Sequence, residues 1–150
     1  MSIWMKIWNG FNQAVLPSRF HWLTSKTTLL ITLKGRKSGR EIMLPVNYSQ
    51  QGNAIRITSK PGRQWWRNLK TYPDVKITLR GNEVPGKAQV FEAPEDVARE
   101  MSAFLQPQKN MAKFYQIRLN EDGTFNQEDL LQSAQRFVLI RIEVPASTGR

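Results

Sequence analysis

The sequence predicts an α+β, mainly β domain in which six antiparallel strands form a small sheet or barrel with flanking helices. Two observations predict it. From Thr27 onward, β-branched and aromatic runs are broken by turn residues at short intervals, the pattern of successive hairpins. At 150 residues the chain has one domain's length and buries roughly 70% of the surface its unfolded form exposes. With 40% hydrophobic residues, 9 Gly and 8 Pro, it has a globular composition and excludes collagen-like or disordered classes.

Residues 3–16 place Ile3, Trp4, Ile7, Trp8, Phe11, Val15 and Leu16 at helical spacing, an N-terminal amphipathic helix (1–16) that ends before Pro17. Its aromatic face packs on the domain's own core or on a partner copy in a homodimer. Peripheral membrane contact is the alternative, since Trp suits the headgroup region, but Lys6 alone is a thin basic face. The rest, 17–150, reads as a single domain. Strands are expected at 27–34, 41–49, 54–59, 74–80, 83–91 and 137–142, with turns at 35–39, 51–53 and 81–82. After Pro61-Gly62, Arg63 to Thr71 reads as a short helix on which Trp65 and Leu69 share a face. Pro94 opens a helix to about Leu105, with Glu95 and Asp96 in its first turn to complement the dipole. A further helical stretch covers about 109–117, and Asn126 caps a short helix to about Ala134.

Charge is concentrated. The chain has 22 Lys and Arg against 12 Asp and Glu, a net charge of +10, yet Arg19 to Lys87 alone holds 14 basic and 3 acidic residues. The remainder has 8 basic and 9 acidic residues. A solvated face kept for solubility is the plain reading of such an excess. Its confinement to one segment favours an anion-binding surface.

Other chemistries are narrowed by what is missing. The absence of cysteine removes disulfides, thiolate nucleophiles and Cys-based metal sites. With His21 the only histidine, a multi-His metal site cannot be built, and no metal is expected. No run approaches the roughly 18 apolar residues of a membrane span and no signal-peptide pattern opens the chain, so a cytoplasmic protein is expected. The basic segment has three carboxylates, none close together, which disfavours paired-carboxylate hydrolysis. Hydride transfer from a bound cofactor needs no such pair.

Two stretches carry the binding signal. Gly35-Arg36-Lys37-Ser38-Gly39-Arg40 sets three cations and a hydroxyl between strands, with glycines that let backbone amides converge on an anion. It lacks the spacing and following helix of a Walker A loop. Ser59-Lys60-Pro61-Gly62-Arg63 adds two cations and a hydroxyl, followed by Trp65-Trp66-Arg67-Asn68-Leu69. One of these tryptophans is expected in the core, and the other, with Arg67 and Asn68, offers a ligand a planar surface.

In order and spacing, Leu29-Leu30-Ile31-Thr32, Gly35-Arg36-Lys37-Ser38-Gly39, Leu44-Pro45-Val46, Thr58-Ser59-Lys60-Pro61, Trp65-Trp66-Arg67-Asn68-Leu69 and Pro73 resemble the deazaflavin-dependent nitroreductase family. The resemblance runs from about Leu16 to Val144. It implies a six-stranded split β-barrel and coenzyme F420, lying in a groove with its phosphate and oligoglutamate tail on the basic rim. Carried over by position, Lys37 contacts the phosphate, Ser59 and Lys60 lie along the cofactor, and Asn68 bonds its polar portion. Arg36, Ser38, Pro45, Thr58 and Trp65 complete the implied cofactor site. Many relatives carry Pro-Arg after the hairpin where this chain has Glu41-Ile42, which leaves that phosphate contact to Arg40. Relatives also use C-terminal tyrosines on substrate, and Tyr115 is the candidate here for a catalytic role.

The implied activity is hydride transfer from cofactor C5 to an electrophilic small-molecule acceptor such as a quinone or nitro compound. An FMN-binding or haem-binding split barrel is the alternative, with His21 as the axial ligand for haem. A barrel binding single-stranded nucleic acid is a further alternative, with no nucleic acid expected on the leading reading.

Overall fold

The computed structural model describes residues 28–79 and 81–145. The expected N-terminal helix, with its membrane or dimer contacts, and His21 lie outside the described residues. Seven strands form one antiparallel sheet: β1 (Thr28–Lys34), β2 (Glu41–Asn47), β3 (Ser49–Gln51), β4 (Ala54–Ser59), β5 (Asp74–Leu79), β6 (Asn82–Phe91) and β7 (Val138–Glu143), in the order β2-β1-β5-β6-β7-β4-β3. This is the expected curled barrel with one strand more. The single expected strand 41–49 is two, because the chain changes partner at Tyr48: Asn47 pairs with Thr28 of β1 and Ser49 with Arg56 of β4.

That change of partner closes the barrel. β2 and β3 are the two ends of the sheet order, yet one residue separates them. Successive Cα atoms are about 3.8 Å apart, so the sheet must curl until its edges adjoin. Tyr48 is buried at this corner. Alternate residues face inward, with Leu29, Ile31 and Leu33 meeting Ile42, Leu44, Ile55, Ile57, Val75, Ile77, Ile140 and Ile142. The Pro residues fit the sheet. Pro45 lies on the edge strand β2, and Pro85 lies on the part of β6 that β7, which pairs from Lys87 to Phe91, does not reach.

Two helices and a 3-10 stretch between them cover one side, and a fourth helical segment adds Trp66 and Leu69 to the barrel core. Trp65–Arg67 form a 3-10 turn that runs into α1 (Asn68–Thr71). α2 spans Pro94–Leu105 and α3 spans Gln127–Ala134, whose N-cap Asn126 accepts the Asp129 amide at 2.9 Å, as expected. Between them Gln106–Tyr115 is a 3-10 stretch kinked at Gln108. A second core, with Phe91, Leu139, Val97, Met101, Phe104 and Leu130, packs this layer on the barrel's outer face. Among the described residues, no helix is long and apolar enough to cross a membrane.

One buried charge lies between barrel and helices. Glu100 of α2, 4% exposed, accepts Arg56 Nε at 2.8 Å from β4 and Arg141 Nη1 at 2.7 Å from β7. Burial pushes its carboxyl up, but the Arg56 bond and the Arg141 charge outweigh this and hold it below the usual carboxylate range. The folded state therefore binds this proton less readily than the unfolded state, and the resulting stability is lost as pH falls through the folded value. We expect Glu100→Gln to flatten the acid limb of a chemical-denaturation pH profile. Glu100→Ala, which leaves Arg56 without its carboxylate and Arg141 with only the exposed Glu143, should cost about 3–5 kcal/mol near neutral pH.

Gly86 marks a close approach of β6 and β7. A Cβ there would stand 2.5 Å from Ile142 Cγ2 and 3.5 Å from Val75 Cγ2, both inside the barrel. Gly86→Ala should lower stability by about 1–3 kcal/mol in thermal or urea unfolding, with Ile142→Leu in the same chain, which removes the Cγ2 methyl, recovering part of it.

Candidate functional site

The Gly35 to Arg40 hairpin is held closed by its own backbone. The Gly35 amide donates to Arg40 O and the Gly39 amide to Gly35 O, each at 2.8 Å, and Gly39 takes φ +72°. The Arg40 amide donates to Ser38 Oγ at 3.2 Å. The Arg36 amide donates outside the loop, to Asn68 Oδ1 at 2.8 Å. The expected convergence of backbone amides on an anion is therefore smaller than the sequence suggests. Four of the amides are bonded within the protein, and the loop's positive character comes mainly from the exposed side chains of Lys37 and Arg40.

The second basic stretch lies against this hairpin. Arg36 Nη1 donates to Asn68 Oδ1 at 3.1 Å and to Gln64 O at 3.5 Å, and its Nη2 donates to Gln64 Oε1 at 3.2 Å. Asn68, 6% exposed, donates from Nδ2 to Trp65 O at 3.0 Å. The two motifs, separated by some thirty residues in the chain, thus form one rim. Between Lys34 and Lys70 there are nine basic residues and one acid, Glu41, and only Arg56 and Lys70 have carboxylate partners. Lys34, Arg36, Lys37, Arg40, Lys60, Arg63 and Arg67 have none among the described residues. Lys34 instead lies 5.0 Å from the centre of the Tyr72 ring, Lys60 5.1 Å from Phe137 and Arg67 4.6 Å from Trp66.

The tryptophans divide as expected, but not along the expected face. Trp66 is the core residue, 1% exposed, with Nε1 donating to Lys60 O at 3.1 Å. Trp65 is half-buried, and its Nε1 donates to Ser59 Oγ at 3.1 Å. An α-helix would have put Trp65 with Leu69. The segment starts as a 3-10 turn, in which residues three apart eclipse, so Trp66 and Leu69 are the pair that enters the core.

Strand β4 sorts its residues by face. Ile55 and Ile57 point into the barrel, while Thr58 faces the helical layer and meets Tyr115, Oγ1 to Oη 2.9 Å. Tyr115 is set edge-on to Phe137 and Phe104, with centroids at 5.1 and 5.8 Å. Just after it Gln116 takes φ +63° and the Ile117 amide donates back to Ala112 O at 3.0 Å, a helix stop that fixes the end of the 3-10 stretch. Burial pushes the Tyr115 hydroxyl up, and the Thr58 bond opposes this in part. The phenol therefore keeps its proton at neutral pH.

The fold thus joins Arg36 to Asn68, Ser59 to Trp65 and Thr58 to Tyr115. Pro45 stands apart from these pairs, half-buried on β2 opposite Leu30. Gln64 and Phe137 were missed by sequence reasoning: a glutamine in a turn and a phenylalanine opening a strand carry no signal without the contacts. Among the described residues, no group of His, Cys, Asp and Glu is arranged to hold a metal ion.

Fold and site define a class, a curled antiparallel barrel with an uncompensated cationic rim beside an aromatic wall. Comparison with known proteins is more specific. The family model described as F420H(2)-dependent quinone reductase matches residues 12–122, and the chain belongs to that family. Over 73 residues the chain is 34% identical to the "Putative F420H(2)-dependent quinone reductase Rv3178" of Mycobacterium tuberculosis, a match covering 45% of this chain and 61% of that protein. A solved F420-H2 dependent reductase (FDR-A) shares the fold with a TM-score of 0.52 at 17% identity, covering 80% of this chain and 95% of the other. A structure described as a domain-swapped dimer has a TM-score of 0.54 at 15% identity, covering 92% and 98%.

The core tryptophan provides a check on the site's scaffold. Trp66→Phe removes the bond to Lys60 O and shrinks the ring beneath Arg67, and should lower stability by about 1–3 kcal/mol in urea unfolding. Trp65→Phe, which loses only the bond to Ser59, should cost less.

Proposed function

We propose that this chain is an F420H2-dependent oxidoreductase that reduces a small electrophilic acceptor, such as a quinone or nitro compound. The family match supports the cofactor. One observation supports its position: seven cations of the two basic stretches lack carboxylate partners among the described residues, and the contacts of Arg36 with Gln64 and Asn68 bring the two stretches together. Such a cluster repels itself and costs stability unless an anion is to be bound there. A single phosphate monoester, as in FMN, would leave most of these charges uncompensated. A phosphodiester with a glutamate tail carries enough negative charges to offset more of them, which favours the deazaflavin over FMN.

Within this reading Lys37, Ser38 and Arg40 bind the phosphate, Lys60 and Arg63 extend the positive surface along the tail, and the half-buried Trp65 borders the ring. When bound, the reduced deazaflavin supplies a hydride from C5. The protein's task is to exclude water, orient the acceptor and deliver the accompanying proton. Tyr115 is suited to the last step, since its hydroxyl is protonated at neutral pH and Thr58 Oγ1, 2.9 Å away, can donate to the oxygen that gives the proton up. We also read the chain as a homodimer, a reading supported by the neighbour described as a domain-swapped dimer and testable by light scattering on the purified protein.

Calorimetric titration with F420, FMN and a single-stranded oligonucleotide tests the cofactor. F420 should bind with one site per chain, and binding of the oligonucleotide or FMN in its place would overturn the reading. Lys37→Ala should weaken F420 binding roughly tenfold or more. Tyr115→Phe, which keeps the ring packing, should lower kcat by about 10²-fold with F420 affinity unchanged.

A further inference from the structure

Arg36 gives its amide and three of its five guanidinium N–H groups to acceptors of the protein itself. Its amide and its Nη1 both donate to Asn68 Oδ1, at 2.8 and 3.1 Å, so both lone pairs of that oxygen are engaged by one residue. Its Nη2 reaches Gln64 Oε1 at 3.2 Å. Asn68 is buried, and its Nδ2 is committed to Trp65 O at 3.0 Å. The side chains of Lys37 and Arg40, by contrast, are exposed and have no carboxylate partner among the described residues. The rim therefore contains two kinds of polar residue, one turned inward to its neighbours and one turned outward.

We propose that Asn68, in place of the direct cofactor contact that the family resemblance implies for it, is a positioning residue: by holding the Arg36 amide and guanidinium together it sets the basic hairpin against α1 and so aims Lys37 at the ligand, without touching the ligand itself. The inference rests on the proposed F420 reading for the identity of the ligand, but the lock is a property of the protein alone. A buried amide bonding one residue's backbone and side chain at once fixes both the loop's path and the direction of its arginine. That is a stronger constraint on a short hairpin than either bond alone. Gln64 adds a third, exposed bond to the same guanidinium. The arrangement spends one cation of the hairpin on rigidity and leaves the others preorganised, which reduces the ordering cost of binding.

A mutant cycle separates positioning from contact. With F420 as the probe in calorimetry, Asn68→Ala should weaken binding roughly tenfold in the native background and less than about twofold when Lys37 is already alanine. An equal loss in both backgrounds would mean that Asn68 acts independently of Lys37 and would overturn the proposal. General destabilisation gives that same equal loss, so the coupling is the readout a structural role would not produce. Gln64→Ala, an exposed change that the fold tolerates, should show a smaller loss with the same dependence on Lys37, and it serves if Asn68→Ala does not fold. Hydrogen exchange without ligand provides an independent arm. The Gly35 and Gly39 amides, which bond within the hairpin, should exchange faster in either variant, and unchanged exchange would overturn the lock. If the unaltered protein fails to bind F420, the functional reading falls while the exchange result still decides the lock.

Discussion

The structure depends on the change of partner at Tyr48. A strand that leaves one edge of a sheet and, one residue later, pairs with the other edge leaves the sheet no choice but to curl. Curling puts the inward residues of β1, β2, β4, β5 and β7 into one core and leaves their alternate residues outside. Every outward feature of the site follows from that division. Thr58 meets Tyr115 because Ile57 and Ser59 face the interior, and Arg56 reaches Glu100 for the same reason.

The second dependence is on how the basic segment is arranged. Positive charges of one sign do not gather without help, and here the help is polar and aromatic. Arg36 is tied to two amide side chains, and Lys34, Lys60 and Arg67 lie on aromatic rings. These contacts hold cations in place without neutralising them, so the field at the rim is kept. Carboxylate partners would have stabilised the same side chains and cancelled the same field. The contrast with Glu100 is instructive, because there two arginines are neutralised and the group joins α2 to β4 and β7. One set of charges fastens the fold and the other faces outward.

Much of this was legible in the sequence. Five of the six expected strands lie within a residue or so of the observed ones, and the α2 helix and the Asn126 cap stand where Pro94 and the turn chemistry put them. Strong periodicity and strong punctuation explain that success. The short helix after Pro61-Gly62 was less legible, since a 3-10 start shifts which tryptophan is buried and propensity does not distinguish the two windings. The hairpin's glycines suggested a nest of amides, yet four of those amides are bonded within the protein.

Alternation, turn residues and the confinement of the charge are local properties, written residue by residue, and so the sequence by itself determined a mainly β domain with a basic segment and no cysteine. Whether the two basic stretches shared a rim, which tryptophan entered the core, and that Thr58 meets Tyr115 across 57 positions were decided only by tertiary structure. Those pairings are set by the closure of the barrel, and closure depends on the packing of strands that no local pattern relates to one another.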